Sequence, residues 1–333
     1  MTVKEIAELA GTSRGTVDRV LHGRGNVRPE LRSKILKVIE ETHYKPNQLA
    51  RALINSRKKF HIGVVLHSVG NPFFEDVLKG IRYRAAKFES HGIELTVKEI
   101  KGFSAREQID AINELKNEQI DGLVIMPIDV AEIRRVLSSL AIPVVTLNTD
   151  IEVPKVAFVG CDYVNSGMIC GDLAKLILCN GGTVAIVIGN ATIAGHTERV
   201  KGFLASVGEA EAIRVMTPIE NEDDDDISYR KVKELLQETA PDLIYFGAAG
   251  IEGGIRAVLE CGRRIHIVTV DYTDTVKRYL KSGVIAATVT QQPFVQGDEA
   301  INILFNVLAD DRQPRDTNNY TRNQVLLRNS KEY

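Results

Sequence analysis

The sequence predicts an α/β chain in two unequal parts: a small all-α helix-turn-helix head, then a two-lobed body built on parallel sheets. Three observations carry this. The first sixty residues hold short amphipathic helices broken at Gly11-Thr12-Ser13. From Phe60 onward, short β-rich runs alternate with amphipathic helices, the pattern of parallel sheets covered on both faces. Charge divides the same way. Residues 1–60 carry 13 Lys/Arg against 6 Asp/Glu, and the remaining 273 carry 29 against 38. A basic head on an acidic body points to an anionic partner for the head, nucleic acid rather than membrane.

The bulk composition agrees. The 333 residues are 44% hydrophobic and 26% charged, which excludes a disordered, collagen-like or coiled-coil chain. No run approaches the roughly 18 apolar residues of a membrane helix. The start, MTVKEIAELAG, lacks a basic stretch followed by an apolar core, so no secretory signal and a cytoplasmic location are expected. Cys161, Cys170, Cys179 and Cys261 form no C-x-x-C pair. Reduced, buried thiols and no metal are expected.

In the head, Thr2 and Glu5 have capping-box spacing before the apolar positions Val3, Ile6, Ala7, Leu9 and Ala10. Gly11 suits a left-handed turn, and Ser13 suits the cap of a second helix. That helix, 14–22, buries Val17, Val20 and Leu21 and leaves Arg14, Gly15, Asp18, Arg19 and His22 outside. A third runs from Pro29 to about Thr42, with Leu31, Ile35, Val38 and Ile39 inward. The Ala–x3–Gly–x5–Val spacing fits a helix-turn-helix, and equally an ordinary helical domain with a solvated basic face.

The stretch TVKEIAELAGTSRGTVDRVLHGRGNVRPELRSKILKVIEETHYKPNQLARAL, residues 2–53, resembles the DNA-binding head and hinge of LacI/GalR-type bacterial transcription regulators. The resemblance implies base reading by Arg14 and Gly15, with Thr2, Ser13, Thr16, Arg19 and His22 also on DNA. Asp18 stands where the family usually has serine. The resemblance makes 46–59 a hinge helix and linker. Asn47 and Ala50 lie against the minor groove, and Leu53 is the apolar wedge that kinks the central step.

Strands are expected at 61–67, 93–100, 121–127, 143–149, 155–160, 183–189, 213–217, 242–247, 266–271 and 286–290. The intervals are expected to hold helices such as 73–90, 104–118, 165–179, 195–207, 228–239, 250–261 and 293–309. Two such runs split near residue 160 imply two similar lobes. No phosphate loop, G-x-S-x-G or H-E-x-x-H motif is present, so no catalysis and no cofactor are expected. GIEGGIR (250–256) reads as close helix packing, and Asp223–Asp226 as an exposed loop leading into a helix.

The body resembles periplasmic sugar-binding proteins, especially the ribose-binding type, over nearly all of 60–325. VGNPFFEDVLKGI (69–81) is its best marker. The resemblance gives Asn71 a ligand hydroxyl and sets Phe73 and Phe74 about a sugar ring. Asn148 and Thr149 replace the family's Asp-Arg pair. Asp162 touches ligand or holds the hinge. Arg199, Asp271 and Gln291 complete the contacts. FGAAGIEGG (246–254) departs, with Ala249 and Gly250 where the family has an asparagine.

The expectation is a helix-turn-helix domain (1–45), a hinge (46–59) and an effector-binding body (60–333). The body's N-lobe takes about 60–161 and 293–320, and its C-lobe about 162–291 and 321–333. The whole reads as a homodimeric repressor of palindromic operator DNA, controlled by a sugar, polyol or sugar derivative, with no membrane role. The alternatives are a soluble sugar-binding protein of a transport system and a sugar-acting enzyme.

Overall fold

The structure, a computed structural model, describes residues 3–21, 27–42, 59–89, 92–191, 193–208 and 212–331. These hold twelve helices and thirteen strands. In the head, α1 (Val3–Ala10), α2 (Arg14–Leu21) and α3 (Pro29–Glu41) close over Ile6, Ala7, Ala10, Val17, Val20 and Ile35. Gly11 makes the turn with φ +66°, and Ser13 Oγ accepts from the Thr16 N–H at 3.2 Å. The expected positions Thr2, His22, Asn47, Ala50 and Leu53 lie outside the described residues.

The body is two layered α/β lobes. In the first, β1 (Phe60–Val69), β2 (Ile93–Lys101), β3 (Gly122–Ile125), β4 (Val144–Leu147), β5 (Ala157–Cys161) and β12 (Asn318–Thr321) pair in the order β12-β5-β4-β3-β1-β2. All these pairs are parallel. The helices α4 (Phe73–Lys87), α5 (Ala105–Asn117), α6 (Ala131–Ser138) and α12 (Pro293–Asp310) cover it. In the second lobe, β6 (Gly182–Ile188), β7 (Ile213–Val215), β9 (Leu243–Phe246), β10 (His266–Val270), β11 (Ala287–Thr290) and β13 (Gln324–Leu326) pair as β13-β11-β10-β9-β6-β7. The short β8 (Ile219–Glu220) adds to β6. Here α7 (Tyr163–Ile177), α8 (Ala194–Val207), α9 (Asp225–Glu238), α10 (Ile251–Glu260) and α11 (Asp274–Ser282) do the covering.

The chain changes sheet three times: between β5 and α7, between β11 and α12, and between β12 and β13. Three findings differ from the sequence pattern. The helices α6 and α11 are additional. So are β8, β12 and β13, and β13 runs antiparallel to β11. Helix α9 begins at Asp225 because Asp224 caps it, accepting from Asp226 and Ile227 N–H at 2.9 Å.

Helix pairs meet at glycines. A Cβ on Gly202 of α8 would lie 1.9 Å from the Val164 carbonyl of α7, and one on Gly167 would lie 2.0 Å from the Arg199 carbonyl. GIEGGIR does the same. A Cβ on Gly253 would lie 1.7 Å from the Asp225 carbonyl, so this glycine run serves packing.

Candidate functional site

In an open parallel sheet, the loops at the carboxyl ends of the strands are free to diverge, and ligands bind there. The two sheets face each other across such ends. Asn71 follows β1, Asn148 follows β4, Asp271 follows β10 and Gln291 follows β11. With Phe73, Phe74 and Arg199 they line one cavity between the lobes. The structure thus brings together seven of the eight expected cleft residues.

Their geometry is fixed by bonds that leave particular atoms free. The Phe73 N–H donates to Asn71 Oδ1 at 3.1 Å, leaving the Asn71 amide nitrogen for the cleft. Asn148, held at φ +63°, donates through Nδ2 to Gln296 Oε1 at 3.3 Å, so its own oxygen is the free group. Gln296 also donates to the Gln291 carbonyl at 3.0 Å, tying the loop of one lobe to the crossover into the other. Gln291 Nε2 donates to Asp271 Oδ1 at 2.7 Å. Phe73 and Phe74 meet edge to face, with ring centroids 5.1 Å apart, and both belong to the lobe's core as well as to the cleft wall.

Arg199 is only 4% exposed. Its Nη1 donates to the Gly247 carbonyl at 3.0 Å, and its guanidinium stacks 4.7 Å over the Tyr163 ring. The Nε has no hydrogen-bond partner. A buried donor left unmade costs about 1–3 kcal/mol, which a ligand oxygen would recover. Burial raises the Asp271 carboxyl above its ordinary value; Arg199 and Gln291 oppose this, and Asp223 adds to it.

Asp162 does not line this cleft. Its carboxylate caps α7, accepting from the Asn165 N–H at 2.9 Å, and it borders a neighbouring cavity at the lobe junction. This cap is a local role, distinct from both the ligand contact and the hold on the hinge expected of it. Asp162→Ala should cost about 0.5–2 kcal/mol of stability, as cap removal does. The loss is read by thermal unfolding.

The cleft contains residues that sequence reasoning passed over: Phe103, Met126, Tyr163, His196 and Asp223. Asp223 corrects the reading of 223–226 as an exposed loop. It is half-buried at φ +57°, and its Oδ1 accepts from the Ala249 N–H at 2.9 Å. It stands 4.0 Å from His196 Nε2. Burial holds His196 below its ordinary value, against the opposing pull of Asp223, so the ring is neutral at neutral pH. Beside Ala249 and Gly250, which offer no polar side chain, Asp223 is the acceptor that this wall supplies.

Two thiols are buried, but Cys179 is exposed and Cys261 partly so. Burial pushes Cys161 and Cys170 up to about 12, which leaves neither as a nucleophile. No group of His, Cys, Asp and Glu among the described residues is placed to hold a metal. No helix among them is long and apolar enough to cross a membrane.

In the head, Arg14, Gly15 and Arg19 are exposed on α2, and Thr16 is half-buried. Arg19 folds back on its helix, donating to the Gly15 carbonyl at 3.1 Å and to Thr16 Oγ1 at 3.4 Å.

Comparison with known proteins follows this division. Residues 62–312 match the periplasmic binding protein domain, and residues 2–47 match the bacterial regulatory proteins of the lacI family. The ribose operon repressor of Haemophilus influenzae is 26% identical over 315 residues, 91% of this chain and 91% of that one. Catabolite control protein A of Staphylococcus epidermidis is 29% identical over 164 residues, 49% of this chain and 48% of that protein. This chain's match therefore spans about half of the second relative and most of the first. The body also superposes on GanP, a glucose-galactose binding protein from Geobacillus stearothermophilus, with TM-score 0.75 and 24% identity, over 81% of this chain and 98% of that one. The chain belongs to the periplasmic binding protein domain family and carries at its N-terminus the head of the lacI family of bacterial regulatory proteins.

Proposed function

We propose that this is a cytoplasmic, homodimeric transcription regulator that represses from palindromic operator DNA and responds to a sugar, polyol or sugar derivative held between its lobes. The observation that carries the reading is one chain with both parts: a helix-turn-helix presenting Arg14 and Arg19, and a cleft where Asn71, Asn148, Asp271 and Gln291 leave hydroxyl-binding atoms around aromatic rings. The working division is 1–45 for DNA, 46–59 for the hinge and 60–333 for the effector. Leu53 wedges the central step, with Asn47 and Ala50 beside it; Thr2, Ser13, Thr16 and His22 contact DNA around Arg14, Gly15 and Arg19. One head covers half a site, so a dimer is required. Ligand closes the lobes, moves the first lobes at the dimer interface and draws the hinge helices apart. It shifts the DNA-competent population only by its differential affinity for the two forms. No catalytic step is assigned.

A transport-type sugar binder would have no use for the head, and DNA binding separates the two readings. Arg14→Ala and Arg19→Ala should each weaken operator binding in a gel-shift titration. An arginine that pairs with guanine through two hydrogen bonds contributes about 1–3 kcal/mol, and its removal relaxes specificity at that base. An arginine that binds phosphate acts on every sequence alike, so its removal lowers affinity evenly and reduces the salt slope by about one. Wild-type affinity in both variants would remove the recognition-helix assignment.

A further inference from the structure

The charged groups around the cleft are strongly one-sided. Within it, Asp223 and Asp271 face a single cation, Arg199, because Asn148 and Thr149 carry no charge. The cavity at the lobe junction shares Thr149, Tyr163 and Gly195 with the cleft and adds Asp150, Asp162 and Glu198. The opening on the other side shares Asn71, Phe73, Ala249 and Asp271, and adds Asp225 and Glu252. Among the described residues lining these three spaces, Arg199 is the one Lys or Arg. Lys155 pairs with Asp150 at 3.0 Å, and Arg278 pairs with Glu252. The remaining five carboxylates still outnumber the guanidinium.

We propose that the effector is a polyol or sugar bearing a protonated amine, with the ammonium received between Asp223 and Asp271 and the hydroxyls by Asn71, Asn148 and Arg199. This rests on the cleft being the effector site. The Asp223 Oδ2 oxygen has only the loose 4.0 Å approach of a neutral imidazole, so a strong acceptor stands unneutralised in a half-buried wall. Asp150, Asp162 and Glu198 crowd the junction-side mouth; burial and Asp162 raise the Glu198 carboxyl, Lys201 opposes this, and Asp150 adds to it. Clefts lined by one sign of charge concentrate the opposite sign of ligand. Phe73, Phe74 and Phe103 also offer ring faces and edges beside the site, and an ammonium is attracted to ring faces. A phosphorylated or carboxylated sugar would meet repulsion at both mouths and find one arginine.

The test is calorimetric titration of the full chain with D-glucosamine, D-galactosamine and D-mannosamine, each beside its neutral hexose, its N-acetylated form and its hexuronic acid. D-ribose and myo-inositol serve as further neutral probes. At least one amine should bind tenfold or more tightly than every uncharged or acidic probe. Raising the pH past the amine's own pKa should remove that advantage, and Asp223→Asn should cut it below threefold. A neutral or acidic probe binding as tightly as the best amine would overturn this inference and leave the effector cleft standing. So would an Asp223→Asn protein with the full preference. No binding by any probe would overturn both.

Discussion

Arg199→Ala should lower affinity for the cleft ligand at least tenfold and leave operator binding without ligand at the wild-type level. The side chain is buried, charged at every accessible pH, and holds one unsatisfied nitrogen at the cavity. Charge-assisted hydrogen bonds are worth roughly 1.5–3 kcal/mol each, and 1.4 kcal/mol is a factor of ten. The substitution also strips the Gly247 carbonyl of its donor and the Tyr163 ring of its stacking partner, so some loss of melting temperature is expected. Arg199→Lys separates the effects, because it keeps the charge and loses the planar fork. The expected phenotype is a protein fixed in its ligand-free behaviour. It represses permanently if the ligand induces, and never represses if the ligand is a corepressor. Titration of the best-binding sugar followed by an operator shift reads both halves. Equal sugar affinity in wild type and Arg199→Ala would make the residue a purely structural link between α8 and β9.

What the sequence disclosed, and what it hid, follows from how local each cause is. The body's main strands are legible because apolar β-branched runs such as HIGVVLH mark buried strands wherever they fall. The cleft residues Asn71, Arg199, Asp271 and Gln291 are legible because each sits in a short, distinctive string at the end of a strand or the start of a helix. Asp223 is not. Four successive aspartates have the composition of a solvated loop. Only tertiary placement, with a left-handed turn through Glu222 and Asp223 and the Ala249 N–H opposite, turns the first of them inward. Asp162 shows the reverse. Its position at a strand–helix junction is legible, but D-x-x-N at that junction is also an N-cap, and the cap is what forms. β12 and β13 escape sequence reading because they are only four and three residues long, β12 is polar, and they exist only through pairing with β5 and β11. The short helices α6 and α11 pack one amphipathic face and lack the length that makes a periodicity stand out.

Gly202→Ala should destabilise the body by about 1–2 kcal/mol net, although alanine is the better helix former. Inside an exposed helix the exchange would gain about 1 kcal/mol. Here the new methyl would stand 1.9 Å from the Val164 carbonyl oxygen and 3.0 Å from the Met168 nitrogen, both backbone atoms of α7. Backbone cannot rotate away as a side chain can, so the helices must separate. Overpacking of this kind costs typically 1–3 kcal/mol and at times more, which outweighs the propensity gain. At about 2–4 °C of melting temperature per kcal/mol in a lobe-sized unit, the loss is readable by thermal unfolding. Gly15→Ala is the internal control, since its Cβ meets nothing closer than Ser13 Oγ at 4.0 Å. There the propensity gain should survive. The clash also bears on function. Arg199 lies one turn before Gly202 on α8, and its own carbonyl would be struck at 2.0 Å by a Cβ on Gly167. Prising α8 from α7 therefore moves the guanidinium off Tyr163, and Gly202→Ala should weaken ligand binding along with the fold. Gly167→Ala should act through the same contact. Once one methyl has parted the helices, the second finds the space already opened, so the double variant should lose clearly less than the sum of the singles. Strict additivity, or a Gly202→Ala protein as stable as wild type, would mean that α7 and α8 do not meet backbone to backbone and that something other than this contact seats Arg199.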